Sequence, residues 1–131
     1  MESIQVKTGA REHFLDITRV VADAVHRSGL KEGVATVFVP HTTAGITINE
    51  SADPSVASDI EQKLAELVPH ASRYQHAEGN SDAHIKASIM GSSVHLIIAD
   101  GQLVLGTWQG IFFCEFDGPR SRRVFIQAVG K

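Results

Sequence analysis

The chain reads as an α+β protein, a single domain with a largely antiparallel β-sheet system of about seven strands and about three helices. Three observations lead there. Short β-rich apolar runs recur along the whole length, stretches between them carry apolar residues at helical spacing, and turn signals such as Asp100-Gly101 separate neighbouring runs. A length of 131 residues is one domain's worth, and no linker, repeat or low-complexity stretch divides it.

Taken in order, Ser3 to Lys7 alternates weakly and Glu12 to Ile17 makes a second short strand. Thr18 is placed as the N-cap of a first helix with the apolar stripe Val21, Ala24 and Val25, and Gly29 is placed to end it. Val34 to Val39 is a β-branched strand stopped by Pro40, and Ile46 to Ile48 is another short one. Asp53-Pro54 starts a second helix, a capping carboxylate followed by proline at the first helical position. Val56, Ile60, Leu64 and Leu67 supply its buried face until Pro69 closes it. Ala83 to Met90 forms a third helix, capped by Ser81 or Asp82 and stopped by Gly91, with Ile85 and Ile89 facing inward. Val94 to Ala99 and Gln102 to Leu105 flank Asp100-Gly101, a pair suited to a type I′ hairpin turn. Ile111 to Phe116 and Val124 to Val129 are further strands, separated by Gly118-Pro119 and by Arg120, Arg122 and Arg123.

Composition narrows the function. The net charge is -3 with histidine neutral, and the basic residues form no long run, so nucleic acid is not an expected partner. The single Cys114 makes no internal disulfide, and inside an apolar strand it reads as buried and inert. No apolar run is long enough to span a bilayer and the N-terminus lacks an apolar signal core. The expectation is a cytoplasmic protein with no membrane partner and a small-molecule substrate.

Chemistry concentrates in three places. Tyr74 to Lys86 crowds His76, Glu78, Asn80, Asp82, His84 and Lys86 around Gly79, and only Ile85 brings a sizeable aliphatic group. That imbalance marks a site. Upstream, His41 stands at a strand end and is followed by Thr42, Thr43 and Gly45, then by Asn49, Glu50 and Asp53, a loop suited to holding an anion. Downstream, glycines flank Trp108 and Gln109, where an indole beside an amide suits a planar heteroaromatic ligand; the alternative for Trp108 is a core anchor. His41, His76 and His84 are the candidate metal ligands, three nitrogens that leave a fourth position open as in catalytic zinc sites. The competing reading is a solvated polar loop, because the histidine spacing is not diagnostic. Glu50, Asp53 and Glu78 are candidate acid–base groups, although Asp53 is equally placed to cap its helix. Thr42, Thr43, Asn49, Asn80, Lys86, Trp108, Gln109 and Arg120 are candidate substrate contacts, with Lys86 and Arg120 supplying charge for a phosphate or carboxylate. Asp82 reads as a cap, and His13, His26, His70 and His95 read as surface or structural.

Several of these motifs together resemble the YjbQ-like family: His41-Thr-Thr-Ala-Gly45 with Asn49-Glu50 and Asp53, His76 with Ala83-His-Ile-Lys86, Gly101, Leu105-Gly-Thr-Trp-Gln-Gly110, and Glu115-Phe-Asp-Gly-Pro-Arg120. The resemblance spans almost the whole chain. It implies a small α+β protein that assembles as a homotrimer, and the activity named secondary thiamine-phosphate synthase, which joins a pyrimidinylmethyl diphosphate to a thiazole phosphate and releases pyrophosphate. Such a reaction needs charge neutralisation on the leaving group, a pocket for the pyrimidine and a positioned nucleophile. Lys86, Arg120 and a divalent metal, zinc at the histidines or magnesium with the diphosphate, would serve the first need, and Trp108 with Gln109 the second. The glycine-rich phosphate loops and barrel of a dedicated enzyme are missing, which suits a side activity. Two other readings stay open. One is a metal-dependent hydrolase or lyase on a small phosphorylated or carboxylated metabolite, with Glu50 or Glu78 as base. The other is a non-catalytic trimer that binds a metabolite or metal.

Overall fold

The computed structural model describes residues 1–131. The elements run β1 (Glu2–Lys7), β2 (His13–Asp16), α1 (Thr18–Ser28), β3 (Gly33–Phe38), β4 (Ala44–Glu50), α2 (Pro54–Leu67), α3 (Ser81–Met90), β5 (Ser93–Ala99), β6 (Gln102–Leu103), β7 (Gln109–Glu115) and β8 (Ser121–Gly130). The α+β architecture expected from the sequence is what forms, with eight strands in two antiparallel sheets. One sheet has the order β1-β8-β3-β5-β6 and the other β2-β7-β4.

The layering follows from β7. Its run Ile111-Phe-Phe-Cys114 is apolar at every position, and side chains alternate across a strand, so both of its faces must be covered. Ile111 and Phe113 enter one core with Ile46, Val37, Val124 and Ile126, which joins the two sheets. Phe112 and Cys114 point the other way, into a core with Phe14, Leu64, Ala83, Ala87 and Phe116 that α2 and α3 cover. Val21 and Ala24 of α1 close the side of the first core, while Val25 packs with Ala35 and Ile98.

Local signals behave largely as their chemistry requires. Asp100 and Gly101 both take positive φ, 52° and 75°, as a type I′ turn demands. Asp53 caps α2 by accepting from the Ser55 N–H at 2.9 Å, with Pro54 in the first turn. Thr18 is not a cap. It is the first residue of α1, and its N–H donates to Asp16 Oδ1 at 2.9 Å, so Asp16 supplies the acceptor. The Thr18 hydroxyl instead accepts from the Ile111 N–H at 2.9 Å and ties the helix to β7.

Two helix faces differ from the periodic reading. Leu67 ends α2 69% exposed, because that helix meets the core through Ala57, Ile60 and Leu64. Ile85 and Ile89 of α3 point outward, 40% and 57% exposed, and the buried face is Asp82, Ala83, Lys86 and Ala87. Close approach explains the choice. A Cβ built on Gly45 would lie 2.8 Å from the Gly91 carbonyl oxygen and 3.0 Å from Met90 Cβ, and the Ile46 N–H donates to that same carbonyl at 3.0 Å. The end of α3 thus lies directly on β4, against alanines and not isoleucines.

The outer face of the five-stranded sheet carries two apolar clusters uncovered within one chain, separated by the polar rung Thr36, His95 and Gln127. Val34 stands opposite Ile97 and Val129, and Phe38 opposite Phe125, whose ring stacks at 6.4 Å. No helix is long and apolar enough to cross a membrane. Gly45→Ala should cost about 1–3 kcal/mol through overpacking, read as a lowered urea midpoint at unchanged slope.

Candidate functional site

The strand pairing divides the sequence candidates into two groups. Ala44 pairs with Glu115 at one end of the β4–β7 ladder and Glu50 with Gln109 at the other, a separation of about 20 Å. His41, His76, His84, Asn80 and Arg120 gather at the first end, and Glu50, Asp53, Trp108 and Gln109 at the second. The single pocket expected from the sequence is therefore not formed within one chain.

At the first end a cavity of about 470 Å³ is lined by His41, Thr42, Ala44, His84 and Ser88. His41 follows the exit of β3, and its Nε2 accepts from the Arg123 N–H at 2.9 Å. Burial and the nearby positive charge of Arg122 hold its imidazole below the ordinary histidine value. With Nε2 accepting, the neutral His41 ring carries its proton on Nδ1. His84 also borders a second cavity of about 450 Å³ with Arg73, Tyr74, His76 and Ser81, and the His76 and His84 rings meet edge to face at 5.3 Å. His76 Nε2 lies 3.7 Å from Glu78 Oε2. No three His, Cys, Asp or Glu side chains are grouped to hold a metal within one chain. The triad read from sequence is thus reduced to the adjacent pair His76 and His84.

Two buried charge networks hold this end in shape. Lys86 is 1% exposed, and its Nζ donates to Glu12 Oε1 at 2.6 Å and Asp82 Oδ2 at 3.0 Å. Arg11 spans the same two carboxylates at 2.9 Å each, and His70 Nδ1 lies 3.0 Å from Asp82 Oδ1. Lys86 is accordingly buried against two carboxylates and lines neither cavity, α3 receives no side-chain cap from Asp82, and His70 does belong to a polar cluster. Burial alone would raise the Asp82 carboxyl, yet hydrogen bonds from His70, Arg11 and Lys86 hold it far below the usual carboxylate range. Arg11 and Glu12 were missed by sequence reasoning. The visible signal was the i,i+4 pair Asp82 and Lys86.

The second network centres on Glu115, whose side chain is fully buried. It accepts from Thr8 Oγ1 at 2.7 Å, Arg122 Nε at 2.8 Å and the backbone N–H groups of Phe116 and Asp117. Burial opposes its charge, and Arg122 with Thr8 more than offsets that, leaving the carboxyl below its ordinary value. Arg122 also donates to Thr43 Oγ1 at 2.9 Å, so the buried Thr43 hydroxyl is engaged inside the protein. Asp117 Oδ2 accepts from both Arg120 Nη2 and Asn80 Nδ2 at 2.9 Å. Asn80 Oδ1 and Ser81 Oγ are the two buried side-chain polar atoms that have no hydrogen-bond partner.

At the second end Glu50 borders a cavity of about 380 Å³ with His13, Asp16 and Glu61 over Phe14 and Phe112. Asn49 Oδ1 accepts from the Glu50 N–H at 2.7 Å, and Gln109 Oε1 from the Gly106 N–H at 2.8 Å. Trp108 is 62% exposed and anchors no core. Cys114 is fully buried and its thiol is pushed far up by burial, as an inert cysteine should be.

The Asp82 carboxyl titrates lower in the fold than in the unfolded chain, where aspartate sits near about 3.9. Its stabilisation is therefore complete above that pH and fades as pH falls toward the folded value. Asp82→Asn should be less stable near neutral pH by about 3–5 kcal/mol, and the gap to wild type should narrow at about pH 3. Urea midpoints of both proteins at the two pH values check this.

Residues 2–131 match the family model described as UPF0047 protein YjbQ-like. A UPF0047 protein of Methanocaldococcus jannaschii is 55% identical over 126 residues, covering 96% of this chain and 91% of its own. The UPF0047 protein YugU of Bacillus subtilis is 47% identical over 131 residues, covering 99% of each. Among solved structures, an uncharacterized conserved YjbQ/UPF0047 protein of Clostridium acetobutylicum superposes with a TM-score of 0.97 at 55% identity, over 98% of this chain and 100% of that one. A YbjQ-like protein of unknown function from Sulfolobus solfataricus gives 0.95 at 34% identity, over 99% and 96%. The whole chain, its two sheets and three helices included, belongs to the YjbQ-like UPF0047 family.

Proposed function

We propose that the chain is a cytoplasmic enzyme of small-metabolite metabolism that takes a phosphorylated substrate at the His41–His84 end, with group transfer of the thiamine-phosphate synthase type as its reaction. One observation carries this reading: the imidazoles of His41 and His84 border one cavity, with the half-exposed Arg120 guanidinium near enough to act on the charge of His41. His41, neutral with its proton on Nδ1, donates to a phosphoryl oxygen. Arg120 is fixed by the Asp117 carbonyl at 2.7 Å and carboxylate at 2.9 Å, and its half-exposed guanidinium adds positive charge. His84, carried on the helix that Lys86 pins down, protonates the departing diphosphate.

In that reaction the bond from the pyrimidinylmethyl carbon to the diphosphate oxygen breaks and its electron pair leaves on the diphosphate. The thiazole nitrogen lone pair forms the new carbon–nitrogen bond. The protein's part is to orient two rings and neutralise the leaving group. His76 and His84 are the residues that would contribute to a site for zinc, or for magnesium brought by the diphosphate. Alone they are an incomplete set, and none of these steps passes through a metal. Glu50 is too distant from His84 to serve as its base, whereas Glu78 beside His76 favours a hydrolase as the second reading.

The same reading includes a homotrimer, supported by the exposed apolar cluster Val34, Ile97 and Val129 on three adjacent strands, with the Phe38–Phe125 pair beyond the polar rung Thr36, His95 and Gln127. Wild-type protein given both thiamine precursors should form thiamine phosphate and pyrophosphate, and His84→Ala should lower kcat by about 10²–10⁴ while keeping the fold. Absence of product from wild type at every loading of zinc or magnesium would sink the transferase reading. Ile97→Asp should shift the sedimenting species from trimer toward monomer.

A further inference from the structure

We infer that residues 68–80 form a strap that opens and closes over His84, with His70 as its latch and Gly79 as its hinge. Its bearing on catalysis rests on the reading of His84 given above; the latch itself does not. Between α2 and α3 this stretch forms no helix or strand, and residues 69–79 make no backbone–backbone hydrogen bond. So long an irregular connection is uncommon inside a compact domain, and functional lids are a frequent form of it. Its inner side supplies Arg73, Tyr74, Gln75 and His76 to the cavity whose other wall is Ser81, His84 and Ile85 of α3. That cavity exists only while the strap is down.

Attachment to the rest of the molecule is sparse. The Tyr74 hydroxyl donates to the Pro69 carbonyl and His76 faces Glu78, both pairs lying within the strap. Asn80 Nδ2 ties the far end to Asp117, and just ahead of it Gly79 takes a φ of 82° with open space where a Cβ would stand. Glycine turns there at little cost. His70 alone fastens the near end through its side chain, with Nδ1 2.6 Å from Arg11 Nη2 and 3.0 Å from Asp82 Oδ1. Because Arg11 is itself fixed by Glu12 and Asp82, the strap is latched to the same buried network that orients α3. His70 is thus a positioning residue that acts on His84 through His76, whose ring meets that of His84.

The latch is weak by construction. One ring nitrogen has one role at a time: as an acceptor it takes the Arg11 N–H and opposes the Asp82 lone pairs, and as a donor it serves Asp82 and opposes the Arg11 N–H. Either setting leaves one contact unfavourable. Closure also leaves the Ser81 hydroxyl, which borders the cavity, buried with no partner, and opening returns it to water. Both features keep the closed state close to the open one in free energy, as a gate requires.

Tyr74 is the chain's only tyrosine, so biosynthetic fluorotyrosine puts a single fluorine on the strap. Saturation transfer on the wild-type fluorine NMR signal should reveal a minor open state, a measurement that needs no variant. His70→Ala should raise the open-to-closed ratio about tenfold, the loss of one hydrogen bond to a charged group, and should speed tryptic cleavage after Arg73 by a similar factor. His70→Asn, which keeps a donor and an acceptor near the Nδ1 position, should restore both readouts to wild type. A single wild-type state, or no change in either readout on His70→Ala, would overturn the strap, and His70→Asn as open as His70→Ala would overturn the latch. Neither readout uses a substrate, so a failed latch leaves the proposed reaction standing and an inactive protein leaves the latch standing.

Discussion

Everything in this fold is arranged around one strand that cannot face water on either side. Because β7 is apolar on both faces, it needs the five-stranded sheet against one and helices against the other. The helical layer must then reach β7 across the short strands β2 and β4. The closeness that this requires is met by alanines on α3 and by a glycine on β4. His84 is where it is because of that packing. The candidate cavity is the gap left between a strand exit and a helix that could not come any nearer.

The charge beneath α3 is the second constraint. Desolvating Lys86, Asp82 and part of Glu12 is unfavourable, and a buried ion pair seldom improves on an apolar one of the same shape. What the network does supply is direction. Two cation–carboxylate contacts to residues outside the helix, Arg11–Asp82 and Lys86–Glu12, and a histidine fix the rotation of α3 about its own axis, so that His84 and His41 border one cavity while Ile85 and Ile89 turn outward. Glu115 and Arg122 play the same part for the strand exit, through Thr43 and Thr8.

The elements were legible in the sequence because their signals are local: the Asp100-Gly101 turn, the Asp53-Pro54 start and the alternating apolar runs. The orientation of α3 was not, since periodicity assumes that the buried face is the apolar one, and here isoleucines lose to a charged pair. His41 and His84 were correctly brought to one cavity, and Arg120 to its neighbourhood. Lys86 and Thr43 looked like ligand contacts because their partners Arg11, Glu12 and Arg122 lie far away in the chain. The distance between Trp108 and His84 depends on strand register, which no single motif encodes.

The Gly45 contact has a bearing on how such a site diversifies. Main-chain atoms of β4 and α3 set the spacing between the two imidazoles, so the side chains at positions such as Ser88 and Ser92 are not needed to prop it open. Those walls are free to vary. Residue by residue, the shape of the cavity can be recut without disturbing the spacing of the two imidazoles.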